Sequence, residues 1–173
     1  MKKHSCILLM PLLLWFTVAA ASQGRGPSTP EERKRVVELV SKLQKDPLNP
    51  ALVKEREWAL KWLIEVPDIT VSVCSDVLSP VLKTKYRYSS DLFVLHTLSA
   101  AAFVIQNPDQ AKDQVQVNLA ATKAMLDGYE AIVTKDPSRK SKELDELKAV
   151  MDSGGLVNFV RVGLAKCSSG PKS

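Results

Sequence analysis

Proline placement constrains this chain more than any other feature. Five prolines follow directly on Thr, Asn or Asp, at positions 29–30, 46–47, 49–50, 107–108 and 136–137. Such pairs suit helix boundaries. The polar side chain caps free backbone N–H groups, and proline is tolerated in the first helical turn but not in the interior. The segments between them therefore read as helices.

The first, STPEERKRVVELVSKLQK, has Thr29 as N-cap, Pro30 at the first helical position and Glu32 three residues after the cap. That is a capping box, with acid at the positive end of the helix dipole. Val36, Val40 and Leu43 follow along one face, and KDPLNP stops the helix. Asn49-Pro50 opens ALVKEREWALKWLIEV. Leu52, Ala59, Trp62, Leu63 and Val66 lie on one side, and Lys54, Glu55, Lys61 and Glu65 are mostly on the other. Residues 68–78 carry two patterns. Ile69, Val71 and Val73 alternate as in a strand, whereas Ile69, Val73, Val77 and Val81 fall at helical i, i+4 spacing. The helical stripe is longer and a lone strand has nothing to pair with, so the pattern predicts a helix over 68–78 capped by Asp68.

Ser90 is the expected cap of an apolar helix from Asp91 to Gln106, hydrophobic nearly all round and hence central. Asn107-Pro108, with Gln110 at the box position, predicts a long helix reaching Lys135. SKELDELKAVMD, a Gly154-Gly155 turn and LVNFVRVGLAKC complete the domain. The expected fold is all-α: a single-domain bundle or helical-hairpin array of six to seven helices. AMLDGYEAIVTKDPS resembles the second helix of a tetratricopeptide unit. The two Lys-Asp-Pro triplets, however, lie 90 residues apart, not a multiple of the ~34-residue period of such arrays, and no array is expected.

The N-terminus speaks to compartment. Lys2 and Lys3 precede an apolar run from Cys6 to Val18, and Ala19, Ala20 and Ala21 supply small residues for cleavage. This is the pattern of a secretory signal peptide. The expected organisation is a signal over 1–21, a flexible leader over 22–28, a helical domain over 29–167 and a disordered tail over 168–173. Loss of Lys2 and Lys3 with no acid lowers the formal net charge from +5 to +3. The apolar stretch 92–105 is short and contains His96, which suits a buried core helix better than a membrane span. The product is thus expected to be exported, periplasmic or extracellular, in a bacterium, with no membrane-spanning segment after signal removal and no nucleic-acid partner.

The chemistry-bearing residues are sparse. After signal removal one histidine, His96, and two cysteines, Cys74 and Cys167, remain, so no metal site and no cofactor is expected. There is no Gly-x-Ser-x-Gly or phosphate-cradling loop, and His96 sits in an apolar helix as a core residue would. Carboxylates such as Glu57 and Asp91 offer an alternative reading, an enzyme acting on cell-wall or polysaccharide material beside Tyr86 and Tyr88. A third reading is a structural envelope component. No catalytic residue is assigned. Export permits a disulfide, and two cysteines allow one pairing within the chain, Cys74 with Cys167. The most distinctive polar string is KTKYRY, in which Lys83, Lys85 and Arg87 alternate with Tyr86 and Tyr88. Such a string binds polyanions by charge and stacking, or simply packs its tyrosines inward with its cations in water. The leading expectation is a non-catalytic binding or scaffolding protein whose ligand is a protein partner or an anionic envelope component.

Overall fold

A computed structural model describes residues 25–169. The expected signal peptide lies outside the described residues, as do residues 22–24 of the leader and 170–173 of the tail. The described residues form seven α-helices: α1 (Pro30–Lys45), α2 (Val53–Glu65), α3 (Ser79–Leu82), α4 (Ser89–Gln106), α5 (Gln114–Lys135), α6 (Lys142–Asp152) and α7 (Leu156–Ser169). Among the described residues there is no strand. The all-α expectation holds.

Three of the proline pairs, at Thr29, Asn49 and Asp136, mark helix starts for the physical reasons given above, and Asp46 ends α1. Thr29 closes a complete capping box with Glu32. Asn49 and Asp136 each accept a backbone N–H two residues on and start short 3₁₀ turns, Pro50–Leu52 and Pro137–Arg139. Three boundaries differ from expectation. Asn107-Pro108 opens only a 3₁₀ turn, Pro108–Gln110. The long helix starts later at Gln114, where the Asp113 carboxylate accepts the N–H groups of Val115 and Gln116. α4 begins at Ser89 without a side-chain cap, so Ser90 is not the N-cap. At the C-terminal end, Ser168 and Ser169 continue α7.

Residues 68–78 are the larger correction. They do not form a helix: 66–74 are irregular, and a turn at 75–78 leads into α3. Asp68 is the reason at one end. Its carboxylate does not cap a helix but accepts the Ser28 N–H (2.8 Å), the Ser28 hydroxyl (2.7 Å) and Arg33 Nη2 (2.7 Å). Desolvation raises the Asp68 pKa, yet these three donors outweigh it and bring it down to about 2. They pin the end of the leader, and the start of α1 with it, to the segment after α2. Ile69 is buried and Val71 partly buried against the α1–α2–α4 core, while Val73 is exposed. The i, i+4 stripe is therefore broken at Val73.

α4 and α5 form the centre and pack most extensively on each other, with α1 lying across both. α2 covers α4, and α7 covers α5. One apolar cluster joins α1, α2 and α4; a second joins Leu78, Val81, Met125, Tyr129 and Leu144. α4 is long and apolar enough to cross a membrane, but 56% of its apolar window is buried within the fold, the behaviour of a core helix.

Two features of this core give testable expectations. His96 is 1% exposed, its Nε2 lying 3.4 Å from Thr122 Oγ1. Burial lowers its pKa to about 4. The unfolded chain, with an ordinary histidine, takes up a proton that the folded chain refuses. Stability is therefore complete above about pH 6.5 and falls as pH drops towards about 4. Between about pH 7.5 and 4.5 the loss from this residue is roughly 2–3 kcal/mol. Urea unfolding of wild type and His96→Gln at both pH values should show that much less pH dependence in the variant. An equal dependence in both would rule it out.

Gly163 is the second feature. A Cβ there would stand 2.8 Å from Val77 Cγ2 and 3.1 Å from the Val77 backbone nitrogen. α7 can thus lie against the 74–78 turn only with glycine at this position. Gly163→Ala should lower stability by about 1–3 kcal/mol despite alanine's better helix propensity, as read by thermal unfolding.

Candidate functional site

The string Lys83–Tyr88 connects α3 to α4. Its backbone is held from both ends. Thr84 Oγ1 donates to the Val81 carbonyl (3.3 Å), and the Tyr86 carbonyl accepts both the Ser89 N–H (3.1 Å) and the Ser89 hydroxyl (2.7 Å). Tyr86 and Tyr88 are half-buried, whereas Lys83, Lys85 and Arg87 are exposed. The tyrosines do pack inward. Tyr86 meets Tyr88 edge-on at 5.5 Å and Tyr129 edge-on at 6.0 Å. Its hydroxyl donates to the Arg139 carbonyl at 2.9 Å. Burial, with Tyr88 beside it, pushes the Tyr86 pKa up to about 12, so the phenol stays neutral and keeps that bond.

The packing carries the string onto a second segment, residues 136–143, that precedes and begins α6. Asp136 organises it by accepting Ser138 N (3.1 Å), Ser138 Oγ (2.6 Å) and Arg139 Nε (2.9 Å). These Ser138 and Arg139 donors hold the Asp136 carboxyl below its usual range. Tyr129, buried on α5, supports the same segment from below. Its hydroxyl accepts the Ser141 N–H (2.8 Å) and donates to Asp145 Oδ1 (2.7 Å).

Between the two segments lies an open cleft of about 550 Å³. Lys85, Tyr86, Arg87 and Tyr88 line one wall; Arg139, Lys140 and Lys142 line the other. The guanidinium carbons of Arg139 and Arg87 lie 5.1 and 5.8 Å from the Tyr88 ring centroid, within cation–π reach. Five cations thus face two acids in the cleft lining, Asp136 and Glu143. Asp136 is engaged by Ser138 and Arg139, and Glu143 accepts the Ser141 hydroxyl at 2.9 Å. Among the described residues Lys85, Arg87 and Lys140 form no ion pair. A cleft of this kind can hold an anion by charge without titrating or reacting with it.

Four of the five predicted binding residues meet at this cleft. Lys83 does not. It turns to Asp76 (3.5 Å) and lines the neighbouring depressions. The opposite wall was not foreseen, although Ser-Arg-Lys-Ser-Lys at 138–142 is a basic run that could have drawn attention. The carboxylates considered for acid–base chemistry are elsewhere: Asp91 pairs with Arg56, Glu57 is exposed, and neither lines the cleft.

Cys74 and Cys167 form the expected pair, with their sulfurs 2.08 Å and their Cα atoms 5.9 Å apart. Cys74 is buried beside Val77 and Val160, and Cys167 sits at the exposed end of α7. Neither lines the cleft. Among the described residues no three His, Cys, Asp or Glu side chains group as metal ligands would. Compared with known proteins, the chain matches no family model, and no curated protein or solved structure matches it.

Proposed function

We propose that this chain is an exported, non-catalytic binding protein whose cleft between residues 84–88 and 136–143 takes an anionic envelope component. The observation that carries the reading is the convergence of Lys85, Arg87 and Lys140, free of ion pairs among the described residues, on one cleft whose wall includes Tyr88 and the hydrogen-bonded Tyr86. Two segments about 50 residues apart in sequence are bolted together there by Tyr86 and Tyr129, which keeps the cations close despite their mutual repulsion. The signal-like N-terminus and the Cys74–Cys167 pair support export, since disulfides persist in oxidising compartments.

The test is the triple variant Lys85→Gln/Arg87→Gln/Lys140→Gln. Wild-type protein should be retained on phosphatidylglycerol vesicles or on cell-wall material at about 50 mM salt and released at about 500 mM. With about 1 kcal/mol per cation near an anionic surface, the triple variant should bind about a hundred-fold more weakly. Retention unchanged by the triple substitution, or insensitive to salt, would end this reading.

A further inference from the structure

The cationic cleft is not isolated. It adjoins a depression of about 460 Å³ through the shared residues Thr84 and Glu143. That depression continues through Ser79, Lys83, Val150 and Phe159 into one of about 670 Å³ between the 76–83 segment and α6–α7. The three depressions thus adjoin one another in series, a grooved surface whose character changes from one to the next. The first part carries the cationic excess. Beyond it the lining is apolar at Pro80, Leu147, Val150, Phe159 and Val162. The charges there no longer favour anions: Lys83 and Lys166 are set against Asp76, Glu143 and Glu146. Lys83 lies 3.5 Å from Asp76, and Glu146 lies 3.9 Å from Lys142.

This polarity separates two kinds of anionic ligand. An extended polyanion leaving the cleft along the groove would run onto Glu143 and Glu146. A ligand with one anionic end and an apolar remainder would meet cations at its head and Val150, Phe159 and Val162 along its tail. Val162, 46% exposed, is the kind of surface hydrophobe such a tail would cover.

We infer that the groove binds a monomeric amphiphile with a phosphate head and a single alkyl or acyl chain, the head among Lys85, Arg87 and Lys140 and the chain along α6–α7. The inference rests on the anion-binding reading and deepens it. A free chain hidden in this way loses its contact with water, so affinity rises with chain length, whereas binding by charge alone is indifferent to it.

The experiment compares dodecyl phosphate, below its micelle-forming concentration, with butyl phosphate, inorganic polyphosphate and dodecyl maltoside, each by NMR titration of the full chain. Dodecyl phosphate should bind at least about ten-fold more tightly than butyl phosphate. The ratio should fall towards one in Val150→Gln/Val162→Gln. Neither of these side chains is in the buried core, and wild type carries an independent check. A dodecyl phosphate with a diazirine at the chain end should label residues between 147 and 166 of the wild-type protein.

Equal affinity for dodecyl and butyl phosphate, with both lost in the Lys85/Arg87/Lys140 variant, would overturn the amphiphile inference and leave the anion reading standing. Equal binding of dodecyl maltoside, or labelling away from α6–α7, would overturn the inference as well. Binding to phosphatidylglycerol vesicles without binding to dodecyl phosphate would replace it with a membrane surface. Failure of every phosphate and of the vesicles would overturn the amphiphile inference, and failure of cell-wall material as well would remove both readings.

Discussion

Replacing both cysteines, as Cys74→Ala/Cys167→Ala, should destabilise the folded chain by up to about 4–5 kcal/mol. The bridge spans 93 positions in sequence, and closing so long a loop removes much of the freedom of the unfolded chain. The native contacts around it argue that the fold itself survives the loss. Leu156 on α7 is buried in a cluster that holds neither cysteine, Val160 also packs on Val77, and Gly163 seats the helix against Val77. What should change first is the last turn of α7, where Cys167 is exposed and only residues up to Gly163 are buried. Guanidinium unfolding of the double variant, and of wild type with and without reductant, measures the effect. The two routes should agree to within about 1 kcal/mol, because alanine at 74 leaves little more than a small gap. Unfolding of wild type unaffected by reductant would show that the bridge contributes nothing to stability.

Tyr129→Ala should cost about 3–5 kcal/mol, the range for removing a large buried aromatic. Tyr129 is 1% exposed and contacts Tyr86 edge-on. The more informative variant is Tyr129→Phe. It keeps the ring but removes the hydroxyl that joins Ser141 N to Asp145, leaving a backbone N–H without that acceptor. The expected cost is about 1–3 kcal/mol. Ser141 stands between Lys140 and Lys142, so the same deletion should loosen the 136–143 wall. Tyr129→Phe should therefore weaken anion retention several-fold although it changes no charge and lines no part of the cleft. If Tyr129→Phe loses stability but binds anionic vesicles as wild type does, the wall is held by other contacts.

The legible parts of this fold were those set by local chemistry. A Thr-x-x-Glu box with proline at the first helical position has one sensible structure, and α1 adopts it. The cysteine pair was legible by counting. The 83–88 string stands out in the sequence because cations and aromatics alternate in so few residues, and four of the five predicted binding residues line one cleft. The misread parts were set by distant partners. Asp68 has the chemistry of a helix cap, but Ser28 and Arg33 engage it first. Val77 reads as one step of a helical stripe, yet it is fixed by a glycine 86 residues further on, in α7. The second wall of the cleft was hidden for the same reason. Its cations gain meaning only when Tyr86 and Tyr129 bring them opposite Lys85, and nothing local to residues 138–142 announces that.

The Cys74–Cys167 bridge also decides how the molecule comes apart. It turns the covalent chain into a lariat: a ring from 74 to 167, with α1 and α2 on a linear arm. The cleft and its groove lie entirely on the ring. A protease cut at the cleft rim, in the exposed positions near 140, opens the ring yet leaves both pieces tied through the sulfurs. A cut in the irregular 66–73 segment severs the arm outright. Packing on α4 and α5 alone then holds the arm, while the cleft and its groove stay covalently continuous.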